Sequence, residues 1–151
     1  MLKLFSFLVV FSIVLVAKEQ VEIYASSMKS QDNIVKTYGE VTVIYKDYFL
    51  TAKEAIYNRN TGELELFDNV RVNYKNSYKI LGNYAKLNII NKNKSFKPLY
   101  LLEKKSQVWI SSKSAASVNE NMHIESGSLS GCDPVNPLWT MNFTSSDYNT
   151  K

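Results

Sequence analysis

Along this chain apolar and polar residues alternate far more often than they recur every third or fourth position. In "EVTVIY" Val41, Val43 and Tyr45 share one face. In "ELELF" Leu64 and Leu66 share a face, with Glu63 and Glu65 opposite. In "NVRVNY" Val70, Val72 and Tyr74 point one way while Arg71 and Asn73 point the other. A period of two means strands with one dry side and one wet side. The abundance of Val, Ile, Thr, Tyr and Phe fits such strands. Asn60-Thr61-Gly62 carries turn chemistry, because Gly and Asn reach positive φ at low cost. Asp68-Asn69 and Asn91-Lys92-Asn93 read as further turns.

The pattern then repeats. "EVTVIYK" from Glu40 matches "NVRVNYK" from Asn69, an offset of 29. "AIYNRNTGELEL" from Ala55 overlies "AKLNIINKNKSF" from Ala85, an offset of 30, and adds Leu87 and Ile89 to the inward set. A weaker copy begins at Ala25, and a decayed one runs through "SAASVNENMHIESGSLSG". An all-strand repeat of this length means a stacked β architecture. No unit buries its dry face alone, but two facing rows of strands do. The expected fold is all-β: a twisted jellyroll or sandwich of antiparallel strands built from repeats of roughly 30 residues.

The first residues follow another rule. Lys3 precedes an apolar run from Leu4 to Val16, and charge returns at Lys18 and Glu19. As a helix the run spans roughly 20 Å, short of the ~30 Å hydrocarbon core of a bilayer. It reads as a secretory signal peptide over residues 1–17, cleaved after Ala17, rather than as a retained anchor. Residues 18–151 then form the β domain. No cysteine stands at its start to carry a lipid.

The formal net charge is +4, including Lys3 in the leader. The basic residues are scattered singly, which describes a mildly basic solvated surface and not a nucleic-acid stripe. A weak attraction to anionic partners follows from it. Cys132 is the single cysteine. In an exported chain an odd cysteine suggests pairing with another polypeptide or another part of the protein. One His and one Cys cannot by themselves make a zinc site, so no metal or cofactor is expected.

No catalytic constellation is visible either. His123 is the lone histidine and has no nucleophile to serve. Glu54, Glu63, Glu65 and Asp68 fall at outward or turn positions, where a solvated face explains them better than an acid/base pair. "GSLSG" from Gly127 lacks phosphate-loop spacing. The sequons at Asn93 and Asn142 are low-specificity patterns. The expectation is a non-enzymatic protein.

The dry face is the remaining candidate. Val41, Val43, Tyr45, Leu64, Leu66, Val70, Val72, Tyr74, Leu87 and Ile89 should all face inward. They serve equally as a filled core or as an acyl-chain groove, and periodicity does not separate the two. A groove would hold aliphatic chains at roughly 25 cal/mol per Å² of apolar area removed from water, with no motif required. A stack of repeats also leaves strand edges, and "YGEVTVIY", which lacks proline, reads either as such a docking edge or as an internal strand.

The repeated "GEVTV", "LTAKEAIYNRNTGELEL" and "DNVRV" resemble the OstA-type domain of lipopolysaccharide-transport proteins. Its pattern of G-x-V-x-V, L-x-A-x-x-A-x-Y, T-G-E and G-N-V falls on Gly39, Val41, Val43, Leu50, Ala52, Ala55, Tyr57, Thr61, Gly62, Glu63, Asn69 and Val70. Asp68 stands where the pattern has Gly. The tail "GSLSGCDPVNPLWTMNFTSSDYN" is similar to the segment closing the N-terminal domain of the LptD family of LPS-assembly proteins, through Cys132, Asp133, Pro134, Pro137 and Trp139. The resemblance implies a V-shaped β-jellyroll in the periplasm, associated with the outer membrane. It implies lipopolysaccharide as ligand, its acyl chains sheltered by the ten inward residues. It implies an LptA-like bridge protein as partner, joined strand to strand, and an outer-membrane barrel plugged by LptE. It implies a disulfide between Cys132 and that barrel. The barrel strands are not among residues 1–151, so the resemblance implies a fragment, a truncated reading frame or a split relative. The contrasting expectation is a structural periplasmic scaffold that binds protein partners through sheet edges without binding lipid.

Overall fold

The structure, a computed structural model, describes residues 20–75, 77–118 and 121–149. The expected signal peptide at residues 1–17 lies outside them. Every regular element among the described residues is a strand: β1 (Glu22–Tyr24), β2 (Ser27–Gln31), β3 (Ile34–Tyr45), β4 (Tyr48–Asn58), β5 (Glu63–Tyr74), β6 (Tyr78–Asn88), β7 (Lys94–Lys97), β8 (Leu99–Glu103), β9 (Trp109–Val118), β10 (Asn121–Ser130) and β11 (Met141–Asn149). No helix among them is long and apolar enough to cross a membrane. All pairings are antiparallel, in the order β1-β3-β4-β5-β6-β7-β9-β10-β11, with β2 also on β3 and β8 also between β6 and β9.

The alternation implies two facing rows of strands. Both rows come from one sheet, folded along a crease that cuts each long strand near its middle. The register slips between Tyr38 and Val41 in β3, between Thr51 and Glu54 in β4, and between Phe67 and Val70 in β5. At the slips in β3 and β5 two successive residues take left-handed backbone: Gly39 and Glu40 (φ 72 and 46), then Asp68 and Asn69 (φ 58 and 52). Such bulges bend a strand and raise its twist. Asp68-Asn69, expected as a turn, is therefore a bulge inside one long strand. The crease continues at 97–98, where β7 gives way to β8 across the cis Lys97–Pro98 bond. It ends in β10 at Ser126 (φ 40), which drops out of the pairing without shifting its register. Positions 39, 68, 97 and 126 keep the 29-residue beat of the sequence.

Each strand thus contributes to two leaves. In the first leaf the inner row runs Val43, Leu50, Val72, Ile80, Leu101 and Ile110, each opposite the next. In the second it runs Leu66, Ala85, Phe96, Ala115 and Ile124. The two rows belong to one core, in which Val43, Leu66, Ala85 and Leu99 are fully buried. Each such Leu or Phe side chain contributes roughly 1.5–3 kcal/mol by leaving water. At the crease the backbones press together: a β-carbon on Gly82 would lie 2.5 Å from the Pro98 carbonyl oxygen. Only glycine fits there.

The free margins of the two leaves, the lips, lie opposite the crease and consist of the hairpin tips. Those of the second leaf repeat one turn. The N–H groups of Asn60 and Thr61 donate to Asn58 Oδ1 at 3.0 and 3.2 Å. Those of Ile90 and Asn91 donate to Asn88 Oδ1 at 2.9 and 3.0 Å. Asp32, Gly62 and Lys92, spaced by 30, are left-handed at these tips. Lys46 and Lys75 play that part in the first leaf.

"YGEVTVIY" lies inside the sheet. β4 covers one side of β3, and β1 and β2 cover the other, so the edge alternative does not hold. The outer strands are β1 with β2 at one end and β11 at the other.

Candidate functional site

Between the leaves the core is solid near the crease and hollow near the lips. The hollow is a cavity of about 240 Å³ lined by Tyr45, Lys46, Asp47, Tyr48, Leu50 and Tyr74 of the first leaf, and by Leu64, Leu87, Asn88, Ile89, Lys92 and Lys94 of the second. Leu50, Leu64 and Leu87 form its floor and are buried; Ile89 and the tyrosines stand half-buried at its mouth. The volume falls below the ~300–1,000 Å³ of ordinary small-molecule pockets, so the closed cleft takes in only part of a lipid-sized ligand.

Aromatic rings and cations build the mouth. Tyr48 and Tyr74 pack at 4.6 Å, and Tyr74 and Tyr78 stack at 5.1 Å. The Tyr48 and Tyr78 hydroxyls share a hydrogen bond of 3.3 Å. Burial, then that bond, raises the Tyr78 phenol above the usual tyrosine value. Three lysines lie over three of the rings: Lys46 at 5.4 Å from Tyr45, Lys75 at 5.8 Å from Tyr74 and Lys94 at 5.2 Å from Tyr48. Cations over tyrosine faces are attracted by about 0.5–1 kcal/mol when exposed and more when dry. Asp47 pairs with Lys75 at 3.0 Å. Two hydrogen bonds close the mouth from leaf to leaf. The Tyr45 hydroxyl donates to the Ile89 carbonyl oxygen at 3.3 Å, and the Lys94 ammonium donates to the Tyr48 hydroxyl oxygen at 2.8 Å.

All ten residues expected to face inward lie on the inner face or at its mouth. Val41, Val43, Leu64, Leu66, Val70, Val72 and Leu87 are buried, and Tyr45, Tyr74 and Ile89 are half-buried. The cavity gathers Tyr45, Leu64, Tyr74, Leu87 and Ile89 of these, while Val41, Val43, Leu66 and Val72 pack in the solid part of the core. Val70 is buried beside a second, outer depression next to the crease. Tyr48 and Leu50 extend the inward set, because Tyr48, Leu50 and Ala52 alternate just as their neighbours do. The lysines at the mouth leave no mark in a scattered charge pattern.

Other polar groups sit away from the cleft. His123 Nδ1 meets Asp147 Oδ1 at 2.8 Å on the outside of β10 and β11. Glu63 pairs with Lys86 at 2.7 Å. Glu65 accepts the Tyr84 hydroxyl at 2.7 Å. Cys132 is a free, half-exposed thiol whose carbonyl oxygen accepts the Trp109 indole N–H at 2.8 Å. Among the described residues no group of three or more His, Cys, Asp or Glu side chains could hold a metal ion.

One folded antiparallel sheet with its apolar rows turned inward is the all-β jellyroll that the alternation and the repeat implied, and it matches the LptA-like fold that the resemblance implied. The likeness is to LptH of Pseudomonas aeruginosa, the LptA homologous periplasmic component of the conserved lipopolysaccharide transport device. The TM-score is 0.59 at 11% identity, over 66% of this chain and 76% of that one. At that identity the similarity is one of fold, and it is coarser than the expected LptD-type domain. No family model matches the chain, and no curated protein matches it.

Proposed function

We propose that this protein is a non-enzymatic periplasmic component of lipopolysaccharide transport that shelters acyl chains between its leaves. The observation that carries the reading is the cleft: leucines at the floor, tyrosines and lysines at the mouth, on a fold shared with an LptA homologue. Apolar area serves the chains and the cationic mouth suits an anionic amphiphile. The solid part of the core acts as a stop, so the chains enter at the lips. In this reading the protein is exported by residues 1–17. It meets an LptA-like partner through an outer strand, β1 with β2 or β11, since open edges accept further strands. The Cys-to-Trp tail supports an LptD-type domain within this reading, with Cys132 bonding to a barrel plugged by LptE at the outer membrane.

The alternative scaffold reading draws support from the fully buried centre of the core, which leaves the outer strands as the route to a partner. One experiment separates the two. A photo-crosslinking amino acid is placed at Ile89, in the cavity wall, and at Arg71, on the outer face, and irradiated in cells. A lipopolysaccharide adduct at Ile89 and none at Arg71 is expected. Equal labelling at both positions, or protein adducts from β11 with no lipid at Ile89, overturns lipid transport in favour of the scaffold.

A further inference from the structure

Lys94 is a cation on the wrong side of its strand. In β7 it stands two residues before Phe96, which is 2% exposed, so the two share the inner face. Its opposite neighbour across the strand pair is the buried Leu87. Charges turned toward an apolar interior are ordinarily paired. Among the described residues Lys94 makes no ion pair: its partners are the Tyr48 hydroxyl and ring. The one carboxylate lining the same cavity, Asp47, is engaged by Lys75 at 3.0 Å. Lys46 and Lys92 line the cavity as well. Three lysines thus line the cavity beside a single carboxylate, Asp47, which pairs with a fourth lysine, Lys75.

The bond that occupies Lys94 is also one that holds the lips together, because Tyr48 belongs to the opposite leaf. The second cross-lip bond, from Tyr45 to the Ile89 carbonyl, is near the long limit at 3.3 Å. We propose that Lys94 is the headgroup-recognising residue of the cleft: the phosphate of an anionic amphiphile takes the Lys94 ammonium from the Tyr48 hydroxyl, and this exchange parts the lips for the acyl chain. Headgroup capture and chain entry are thereby one event. The proposal rests on the lipid-binding reading of the same cleft and adds what the cleft selects. A compact ammonium is a good point-charge partner for phosphate, and the charge-assisted bond it forms there outweighs one to a neutral hydroxyl.

The test is calorimetric titration at pH 7 with monododecyl phosphate below its micellar concentration, the neutral dodecyl maltoside, and inorganic phosphate. The protein should prefer the phosphate amphiphile over the neutral one at least 10-fold and show no heat with inorganic phosphate at the same concentration. Lys94→Met, which keeps the apolar stem, should abolish the preference without weakening maltoside binding, because the cross-lip bond is lost together with the ammonium. Tyr48→Phe, which removes the competing oxygen and keeps the ring, should tighten dodecyl phosphate several-fold. A preference that survives Lys94→Met overturns the assignment. Inorganic phosphate binding as tightly as the amphiphile overturns the coupling to chain entry. A lipopolysaccharide adduct at Ile89 combined with no effect of Lys94→Met removes this inference and leaves transport standing; the reverse pair of results removes transport and leaves Lys94 as an anion site.

Discussion

At the crease, two strands approach until a β-carbon on Gly82 would meet the Pro98 carbonyl oxygen at 2.5 Å. At the lips, the same two leaves touch through tyrosine rings, a lysine and a hydrogen bond of 3.3 Å. The crease is a backbone structure, set by left-handed residues at 39–40, 68–69 and 126 and by contacts that cannot give. The lips are side-chain structure, and side chains swing on rotamers within nanoseconds. A folded sheet with a rigid spine and a soft mouth opens only at the mouth. That is the property a carrier of long apolar chains needs, and it follows from where the repeat places glycine and where it places tyrosine.

The largest effect should come from adding one methyl group at each region. In Gly82→Ala the new atom meets backbone, so strands β6 and β8 must separate or shift; overpacking against immovable atoms costs about 3 kcal/mol. In Gly62→Ala, at a lip, the new atom meets Ile90 Cγ1 at 2.6 Å, but Ile90 is 67% exposed and can turn away. What remains is the left-handed φ of 67 at that residue, a cost of about 1–2 kcal/mol. Thermal unfolding should therefore fall by roughly 10 °C for Gly82→Ala and by about one to two thirds as much for Gly62→Ala. Equal losses would mean that the lips are as unyielding as the crease.

A smaller difference is expected within one strand. Leu66 is fully buried in the solid part of the core, while Leu64, two residues earlier, is just as buried but lines the cavity. Leu66→Ala opens a new void and should cost about 2.5–3 kcal/mol. Leu64→Ala enlarges a space already there and loses fewer contacts, so about 2 kcal/mol is expected. Leu64→Phe should be tolerated within about 1 kcal/mol and Leu66→Phe should not. Urea unfolding of the four variants measures this, and a Leu64→Ala loss as large as that of Leu66→Ala would deny the hollow.

The two regions differ in how far the amino-acid sequence reveals them. Both leaves are legible, because Val41, Val43, Leu64, Leu66, Val70 and Val72 alternate and the alternation returns after 29 or 30 residues. The crease is half legible. Gly39 and Asp68 open matching repeats, but Asp68-Asn69 has the chemistry of a reversing turn. Two left-handed residues reverse a chain or merely bulge it depending on whether the partner strand continues alongside, and that is decided across strands, not along them. At the lips, Tyr45, Tyr74 and Ile89 are visible by alternation. Lys94 is not, because the four-residue β7 follows an irregular Asn-rich turn that hides which face comes first. Its inward aim is a tertiary fact, as is Tyr48 reaching it across 46 residues.

The smallest effect separates two tyrosines at alkaline pH. Tyr84, on the outer wall beside the crease, has its phenol pushed up to about 12 from 10.0, first by burial and then by its hydrogen bond to Glu65. Tyr78, at the lips, is also raised, by deeper burial among the other tyrosines and then by its bond to Tyr48. In both cases the folded state keeps its proton to higher pH than the unfolded chain does. The stabilisation is therefore fully present below pH 10 and is lost as pH rises through the folded value, a window of about 10 to 12 for Tyr84. Tyr84 is partly open to solvent, and screening leaves it less than about 1 kcal/mol. Urea midpoints of the parent, Tyr84→Phe and Tyr78→Phe at pH 9 and pH 11.5 should show the steepest fall for the parent, a slightly shallower one for Tyr84→Phe and the shallowest for Tyr78→Phe. If Tyr84→Phe flattens the dependence more than Tyr78→Phe, the lips are wetter than the outer wall. A mouth that wet could not hold Tyr78 neutral, nor offer an acyl chain a dry entrance.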